Sequence, residues 1–216
     1  MDTVRLSDTH TSSLVEHIVD RLRERIVSGE LAGGTALRQD HIAKEFGASH
    51  VPVREAFQRL QAIGLVTILH RRGVRVTVLD RVAIKEAADM RAVLEPLALR
   101  HAMPHLRAEH FEALESAHAA CDAANSLASW DAANRAFHYA LVRHCAMPRL
   151  LATLDVLQLT SSRFVLAVGR ARGWQSRSNH DHQLIIDALK SHDLERAAQL
   201  LSRHIGTMER VGFPVS

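Results

Sequence analysis

Cysteines, membrane-length apolar runs and a recognisable secretion signal are scarce or missing in this chain of 216 residues. The two cysteines, Cys121 and Cys145, lie within helical patterns and do not indicate a disulfide framework, which favours a reducing compartment. We identify no apolar run that approaches the length of a bilayer span. The polar start MDTVRLSDTH does not resemble a secretion signal. The sequence therefore predicts a soluble, cytoplasmic protein with no membrane partner.

Glycine, proline and aromatic residues are also scarce, and their distribution bears on the fold class. Aromatic residues make up only 4% of the chain. Glycine and proline are sparse after residue 80, whereas alanine and leucine are abundant. This composition favours a helical second part, and an apolar content of 47% is sufficient for ordinary hydrophobic cores. Lysine is rare beside arginine, a bias that suits phosphate and carboxylate partners but can equally reflect genome composition.

The segment from Asp40 to Val78 has the pattern of two helices, a tight turn between them and a following hairpin. Gly47 and Ala48 supply the turn, and Ser49 is placed to cap the second helix through its hydroxyl. Apolar residues of the second helix recur at helical spacing and are predicted to face inward: Val53, Ala56, Phe57 and Leu60. The opposite face is then polar: His50, Arg54, Gln58 and Gln61. A polar ridge of this kind fits the major groove of DNA.

Beyond Gly64, which suits the left-handed position after a helix end, the chain predicts a β-hairpin. The runs VTILH and VRVTVL alternate apolar and polar residues around the basic turn RRG. Between His50 and Leu79 five arginines stand against one acid, Glu55, which indicates a surface that faces phosphate. The alternative is an arginine-rich, solvated helix and hairpin on an unrelated domain.

From Leu14 to Val78 the chain resembles the N-terminal domain of the GntR family of bacterial transcription regulators. The motifs that carry the resemblance are LRQDHIAKEFGAS, VPVREAF, RLQAIGLV and HRRGVRV. The resemblance implies a winged helix-turn-helix with these DNA-contacting positions: Arg38, Gln39, Asp40, Ser49, His50, Val51, Arg54, His70, Arg71, Arg72 and Gly73. We expect Arg54 to make a bidentate contact to guanine, and Arg71 and Arg72 to contact the backbone or the minor groove. The chain departs from the family at Gly33 and Gly34, where Pro-Gly is usual, and at His50, where arginine is usual, which leaves base preference there open.

The chain is predicted to be mainly α, with an N-terminal winged helix-turn-helix that has a small β-hairpin wing, and a C-terminal all-α bundle. We assign residues 1–12 to a flexible tail, 13–79 to the DNA-binding domain and 80–216 to a helical effector-binding and dimerisation domain. Ser13 and Glu16 have the form of a capping box for a first helix, and Asp80 can cap the helix after the wing. Turn signals then separate six predicted helices, at about 81–102, 106–125, 127–146, 148–170, 177–190 and 194–210.

The chain has fifteen histidines, and the positions of a few of them indicate a site. His182 and His204 lie at similar distances on either side of the turn between the last two helices, so an antiparallel pair places them at the same height. Asn134 and His138, four residues apart, share one face of an earlier helix. These four side chains could surround one divalent ion and leave positions open for a ligand. The alternative is that they are ordinary polar residues of the core or the surface.

Residues 81 to 210 resemble the FCD effector domain, which follows the GntR-type reader in the FadR-type subfamily. The motifs are MRAVLEPLALRHA, N..FHYAL..H and HDHQLIIDALKSHDLERAAQLLSRHI, and the count of six helices favours the VanR-like branch. The resemblance implies a metal site formed by Asn134, His138, His182 and His204. Asn134 replaces the aspartate of the metal-binding members, and because an amide is a weaker donor than a carboxylate, affinity should fall most for hard ions. We expect a divalent ion of the Zn, Ni or Mn type.

The resemblance also implies a small organic acid as effector, with its carboxylate shared between the ion and one arginine. Arg91 and Arg163 are the candidates, although Arg91 can pair with Glu95 instead and Arg163 can be simply solvated. We predict a repressor that binds double-stranded operator DNA as a homodimer and is released by the acid. One alternative is a regulator that binds its effector without metal. The other is a metal-dependent enzyme with a DNA-binding domain, which is disfavoured because no general base is evident beside His138 and no nucleophile arrangement is present.

Overall fold

The computed structural model describes residues 3–70, 72–172 and 180–207, and the chain divides into two compact units, Met1–Leu79 and Asp80–Ser216. Each unit has its own hydrophobic core. The described part of the chain is mainly helical, and its one sheet lies in the first unit. The predicted fold class is confirmed.

Three helices and three short strands form the described part of the first unit. They are α1 (Thr3–Val27), β1 (Ala36–Leu37), α2 (Gln39–Glu45), α3 (His50–Ala62), β2 (Val66–Leu69) and β3 (Gly73–Val76). Strand β3 lies between β1 and β2 and is antiparallel to both, with Leu37 opposite Val74 and Thr67 opposite Arg75. The hairpin of β2 and β3 is the predicted wing. The sequence does not predict β1, because two residues are too few to show an alternating pattern.

Helix α3 is fixed in place by an apolar stripe on its inner face. The four residues predicted to face inward are all buried: Val53, Ala56, Phe57 and Leu60. They pack with a matching stripe of α1: Val15, Ile18, Leu22 and Ile26. Gly47 adopts a φ of +59°, a conformation that favours glycine, so the chain can turn sharply between α2 and α3. This packing sets the direction in which the polar face of α3 points.

Helix α1 begins well before Ser13, the start that the sequence predicts. Residues 3–12, which the sequence assigns to a flexible tail, continue the same helix. No glycine or proline occurs between Thr3 and Val27, so the chain contains no residue there that strongly opposes a helix. Ser13 and Glu16 therefore lie inside α1, and the capping box predicted at its start does not form there.

Two predicted helix caps have different outcomes. Asp80 caps the first helix of the second unit, since its Oδ1 accepts a hydrogen bond from the backbone N–H of Ala83 at 2.8 Å. Ser49 does occupy the cap position of α3, but its hydroxyl makes no capping bond. The predicted bond at Ser49 is therefore wrong, and the contact seen at this end is from Gln39 Nε2 to the carbonyl of His50, at 2.9 Å.

The described part of the second unit has six α-helices, as predicted. They are α4 (Arg81–Ala102), α5 (Ala108–Asp122), α6 (Leu127–Val142), α7 (Pro148–Arg172), α8 (His180–Lys190) and α9 (Leu194–Thr207). A short 3-10 turn, Met103–His105, carries Pro104 between α4 and α5. The chain reverses between α8 and α9 at His192, which has a positive φ of 58°. The two last helices are therefore joined by a short turn, as the predicted pairing of His182 with His204 requires.

The helices of the second unit surround a main apolar core, and a smaller apolar cluster lies beside Trp130. Helix α4 packs against α6, α7 and α9, while α5 packs against α6 and α8, and α8 against α9. Large side chains that are 0% exposed fill the space between them: Leu99, Phe137, Leu141, Ile185 and Leu201. The buried polar residues of this unit lie on the same helices, so this packing determines which of them come into contact.

Helix α7 corrects the prediction that no apolar run approaches the length of a bilayer span. Over Pro148–Gly169 it is long and apolar enough to cross a membrane, and it is the one such helix among the described residues. It packs against α4 and α6, and it buries Gln158, Ser161 and Ser162. Length and composition alone are weak evidence for a membrane span, because the core helix of a helical bundle can be equally long and apolar.

Candidate nucleic-acid interface and metal centre

The outer face of α3 is an exposed polar ridge, as the sequence predicts. Its exposed residues include His50, Val51, Arg54, Gln58 and Gln61, and Val51 is 71% exposed. Ser49 precedes them and is also exposed. The inner face of the same helix is buried, so the ridge is held rigidly by the core beneath it. Recognition of DNA base edges requires hydrogen-bond donors and acceptors held in fixed positions, and this ridge provides them.

Residues at the start of α2 lie beside the start of α3. Gln39, which is partly buried, contacts the His50 carbonyl as described above. The His50 ring also lies 3.1 Å from the carboxylate of Asp40, measured from Nε2 to Oδ1. Arg38 precedes α2 at the N-cap position, makes no side-chain capping bond and is exposed. The structure thus brings together the predicted DNA-contact positions of the two helices. One ring nitrogen of His50 is already in contact with Asp40.

The arginines of the first unit differ in whether their charge is already balanced. Arg59 pairs with Glu55 at 2.7 Å, and Arg75 donates to the carbonyl of Gly34 at 2.9 Å. The guanidinium groups of Arg38, Arg54 and Arg72 make no ion pair or hydrogen bond with any residue that the structure describes. These three exposed cations can therefore contact phosphate or bases without first breaking an internal bond.

The wing is described only in part. Gly73 begins β3 with a φ of +82°, a conformation that favours glycine and lets the hairpin turn tightly. Arg72 and His70 are exposed at the turn. Arg71 lies outside the described residues, so its predicted contact stays a prediction.

Three histidines from three helices meet in the second unit. They are His138 of α6, His182 of α8 and His204 of α9, and one ring nitrogen of each lies within 4.8 Å of the others. The Nε2 atoms of His182 and His204 are 3.2 Å apart, as expected for residues at one height across the α8–α9 turn. His138 and His182 are buried and His204 is partly buried. Three of the four predicted ligands are thus close enough to share one ion.

A buried carboxylate orients His138. Glu95 of α4 is 0% exposed, and its Oε2 lies 2.7 Å from His138 Nδ1. Arg91, one turn earlier on α4, donates to Glu95 Oε1 at 2.6 Å. Burial alone would raise the pKa of Glu95, but the charges of Arg91 and His138 outweigh burial and lower the pKa to about 2. The Glu95 carboxylate can accept a hydrogen bond from His138 Nδ1, which leaves His138 Nε2 on the side of the cluster.

His182 and His204 are held in the neutral form. Burial, followed by the charge of His138, lowers the pKa of His204 to about 4. Burial and the neighbouring histidines lower the pKa of His182 to about 2. Asp181 Oδ2 lies 3.2 Å from His204 Nδ1 and can accept its proton. Neutral imidazoles with Nε2 unprotonated are the form that ligates a metal ion.

Several buried polar atoms near the cluster have no hydrogen-bond partner among the described residues: Asn134 Oδ1, His138 Nε2, His182 Nδ1 and His118 Nδ1. Buried polar atoms are normally paired, so unpaired ones of this kind indicate a ligand or an ion. Asn134 Oδ1 and His138 Nε2 are four residues apart on α6 and are both ligand atoms of the predicted set. One amide oxygen and three imidazole nitrogens fit a borderline divalent ion better than a hard one.

A small cavity with room for about one water molecule adjoins this cluster and is lined by Asn134 and by His138 of the cluster. Its other lining residues come from α4, α6 and α7 and include Arg91, Asp131, Arg135, Gln158 and two serines. Of the two arginines predicted to bind effector, Arg91 lines the cavity, but its guanidinium is already engaged by Glu95. Arg163 does not line it, although it is buried and follows Ser162 in the sequence.

Sequence reasoning did not include two residues of this region, Glu95 and Asp131, among the site residues. Glu95 was noticed only as a possible partner of Arg91, and its contact with His138 crosses from α4 to α6. Asp131 is 4% exposed and lies one helical turn before Asn134 on the same face of α6. The three-residue spacing from Asp131 to Asn134 was the available signal for the second residue.

Both units of the chain are similar to known protein families. Residues 86–207 match the FCD domain, and residues 14–76 match the family described as bacterial regulatory proteins, gntR family. One relative is a probable D-xylose utilization operon transcriptional repressor of Paenarthrobacter nicotinovorans, 31% identical over 93% of this chain and 88% of the relative. Another is the HTH-type transcriptional repressor GlaR of Escherichia coli (strain K12), 29% identical over 86% of this chain and 90% of the relative. A crystal structure of a putative transcriptional regulator GntR from Rhodococcus sp. RHA1 has 25% identity and a TM-score of 0.76, covering 92% of this chain and 96% of that one.

Proposed function

This chain belongs to the GntR family of bacterial regulatory proteins, with an FCD domain, and from that premise we propose a repressor controlled by a small carboxylate bound beside a metal ion. Membership makes it a DNA-binding transcription regulator and not an enzyme. The relatives named above are called repressors, which supports the proposed direction of regulation. We also expect it in the cytoplasm, where operator DNA is accessible.

The proposed DNA contact is made by the ridge of α3, with Arg54 at its centre. Arg54 is exposed, is carried by a helix with a buried inner face, and makes no ion pair with the described residues. A guanidinium of this kind can donate two parallel hydrogen bonds to O6 and N7 of guanine. Arg38 and Arg72 would neutralise phosphates nearby, and such contacts position the protein without specifying sequence.

A homodimer is proposed because one recognition helix contacts only a few base pairs. GntR-family regulators commonly dimerise. In the second unit, α4 carries large apolar residues that are exposed on one side of the helix: Val82, Met90, Val93 and Leu97. Exposed apolar residues at helical spacing are typical of an interaction surface, and they support a second copy of the chain as the partner.

The proposed metal site consists of His138, His182, His204 and Asn134. The observation that carries it is the unpaired, buried Nε2 of His138, which Glu95 orients towards two further neutral imidazoles. A divalent ion bound there would supply a Lewis acid that holds a carboxylate oxygen. The neutral donor set favours Zn²⁺ or Ni²⁺ over Mn²⁺, since nitrogen ligands prefer the borderline ions.

The balance of charge beside the cavity favours a site that contains a metal ion over a metal-free site. Arg91 is paired with Glu95, and Arg135 is paired with Asp131 at 3.2 Å. The low pKa values of His182 and His204 mean that these imidazoles carry no charge near neutral pH. A carboxylate ligand therefore meets no unbalanced cation among the residues that line the described cavity. A divalent ion provides the missing positive charge, and this is why we prefer it to the metal-free regulator.

The metal content of the protein, purified without a histidine tag, tests the proposed function. We expect about one divalent ion per chain by elemental analysis, and loss of that ion in His138→Ala. His101→Ala, which changes an exposed histidine on α4, is the matched control and should keep the ion. A His138→Ala protein that keeps its full metal content would contradict the site, and wild-type protein that binds no ion after incubation with Zn²⁺ or Ni²⁺ would leave only the metal-free regulator.

A further inference from the structure

The three histidines of the cluster differ in the support given to Nδ1, the ring nitrogen that is not proposed to bind metal. His138 Nδ1 lies 2.7 Å from the buried carboxylate of Glu95, and His204 Nδ1 lies 3.2 Å from Asp181 Oδ2. His182 Nδ1 is buried and has no hydrogen-bond partner among the described residues. A metal-ligating histidine normally donates from its other ring nitrogen to a fixed acceptor. His182 therefore needs an acceptor of the kind that the other two histidines already have.

Packing fixes the plane of the His182 ring but not which edge of the ring faces the cluster. The ring lies nearly parallel to that of Phe137, with the two centroids 3.9 Å apart and an angle of 15° between the planes. A half-turn about the Cβ–Cγ bond of His182 preserves this stacking, but it exchanges Nε2 with a carbon atom. The exchange would remove the nitrogen that now lies 3.2 Å from His204 Nε2. A hydrogen bond at Nδ1 prevents it, because it stabilises only one of the two orientations.

A second buried Nδ1 without a partner among the described residues belongs to His118 of α5. Helix α5 packs against α8, which carries His182. The centroids of the His118 and His182 rings are 6.3 Å apart, and the ring planes make an angle of 73°. The remaining unpaired buried atoms of the described residues, Asn134 Oδ1 and His138 Nε2, are proposed metal ligands. The two Nδ1 atoms are thus left without partners on two helices that pack together.

Asp122 makes the two Nδ1 atoms complementary. It lies one turn after His118 on α5, and its Oδ2 is 3.6 Å from His118 Nε2. An ionised carboxylate only accepts hydrogen bonds, so it favours the tautomer of His118 that has its proton on Nε2 and a lone pair on Nδ1. His182 needs the opposite tautomer, with its proton on Nδ1, to offer the lone pair of Nε2 to a metal ion. His182 Nδ1 is then a donor, and His118 Nδ1 is an acceptor.

We propose that His118 is a positioning residue for His182, joined to it by one water that accepts from His182 Nδ1 and donates to His118 Nδ1. A bridging water is required because neither Nδ1 atom has a direct partner among the described residues, and such a bridge is nearly as favourable as a direct hydrogen bond. His118 thereby does for His182 what Glu95 does for His138. This inference rests on the proposed function and adds a residue of α5 that supports the proposed metal site.

His118→Asn and His118→Leu form a matched pair that tests the proposal in the full-length protein. Both remove the ring and its contact with Asp122, and their side chains have nearly the same shape, but only asparagine has an oxygen near the position of Nδ1. Competition of the protein with a chromophoric chelator for Zn²⁺ measures the affinity. We expect His118→Leu to bind Zn²⁺ about tenfold more weakly than wild type. His118→Asn should stay within about threefold of wild type, because its amide oxygen can replace the acceptor.

The ring N–H of His182 provides a readout that a purely structural role of His118 would not change. Histidine-selective ¹⁵N labelling shows this proton in nuclear magnetic resonance spectra of the Zn²⁺-loaded protein. We expect a hydrogen-bonded Nδ1–H that exchanges slowly with solvent in wild type and in His118→Asn. In His118→Leu the signal should move upfield and exchange faster, because the acceptor is lost. His118→Ala, which also has no acceptor, repeats the test if the leucine variant does not fold.

The outcomes separate this inference from the proposed function. Equal Zn²⁺ affinity in wild type and both variants would overturn the inference and leave the metal site intact. Equal weakening in His118→Asn and His118→Leu, with the His182 Nδ1–H signal unmoved, would also overturn it, because that pattern indicates a structural role. If the wild-type protein binds no Zn²⁺, the proposed metal site fails and the inference fails with it.

Discussion

Arg54 and Arg59 lie on the same helix, yet only one of them is proposed to read DNA. Arg59 is engaged with Glu55, and Arg54 makes no ion pair with the described residues. We expect Arg54→Ala to weaken binding to a specific duplex by about 10- to 100-fold, which corresponds to the loss of one bidentate base contact. A gel-shift titration measures the change, and sedimentation should show that the dimer persists.

Arg59→Ala is the matched control for this experiment, because it removes the same charge from the same exposed helix. We expect its effect on specific binding to be much smaller, with most of the loss being general and salt-dependent. Equal losses in the two variants would show that α3 contributes net charge and not base reading.

Glu95 illustrates how one buried charge connects stability to the proposed metal site. Glu95→Gln leaves Arg91 buried without a counter-charge, so we expect the free energy of unfolding to fall by about 3 kcal/mol. The variant should also bind metal about 10- to 100-fold more weakly, because the orientation of His138 is less well fixed. Urea denaturation and a Zn²⁺ titration measure the two effects. Glu115→Gln, at the exposed pair with Lys190, should change neither by more than about 0.5 kcal/mol.

The pH dependence of the Glu95 effect has a definite sign. In the folded protein the pKa of Glu95 is lowered from 4.5 to about 2, so the unfolded chain binds this proton first as the pH falls. Its contribution to the free energy of unfolding is therefore fully present above about pH 5 and is lost towards pH 2. Denaturation curves of wild type and Glu95→Gln should converge as the pH is lowered from 7 to 3. A difference that stays constant over that range would contradict the lowered pKa.

Residue-level prediction from the sequence succeeded where local spacing was informative. The α8–α9 turn places His182 and His204 side by side. This contact could be predicted from the number of residues that separate each histidine from the turn. The position of His138 beside them, the contact of Glu95 with its ring and the burial of Asp131 depend on packing between helices distant in sequence. Spacing along one helix contains no information on such contacts.

At the scale of elements, helix caps provide the sharpest contrast. Asp80 accepts a hydrogen bond from the Ala83 amide, whereas Ser49 occupies a cap position without making the bond. We therefore expect Asp80→Ala to lower the free energy of unfolding of the second unit by about 1 kcal/mol. Ser49→Ala should have a clearly smaller effect on the first unit. Thermal denaturation of both variants measures this, and a larger loss for Ser49→Ala would show that its hydroxyl does cap α3 in solution.

The exposed side of α4 leads to a second prediction about an element. If Val93, which is 69% exposed, lies in the proposed dimer surface, then Val93→Glu should convert the dimer to monomer in sedimentation experiments. Ile68→Glu, at an exposed apolar position on β2 of the other unit, is the control and should remain dimeric. A dimeric Val93→Glu protein would place the interface elsewhere.

Prediction of elements from the sequence was accurate for long periodic segments and poor for their ends. The six helices of the second unit and the helices and hairpin that follow Leu37 all occur. Strand β1 is too short for a pattern, and the early start of α1 reflects a segment without helix-breaking residues. The apolar length of α7 is hard to recognise in the sequence because Gln158 and the polar residues 160–163 interrupt the run, although Pro148–Gly169 is long and apolar enough to cross a membrane.

At the scale of the whole molecule, the two units divide the function. The first presents Arg54 on a rigid ridge, where it makes no ion pair with the described residues, and the second contains a largely buried histidine cluster next to a small polar cavity. The fold of each unit could be predicted from the composition and the periodicity of the sequence. The hydrogen-bond partners of the histidine cluster could not, because they depend on which buried groups pair with one another inside the bundle.

The most direct test of DNA reading by a symmetric dimer is selection of duplexes from a random pool by the purified full-length protein at moderate salt. We predict enrichment of a short sequence with two-fold symmetry, bound by two chains per duplex, because paired recognition helices read two half-sites. Enrichment of no sequence over random competitor, or of an asymmetric site bound by one chain, would contradict the account.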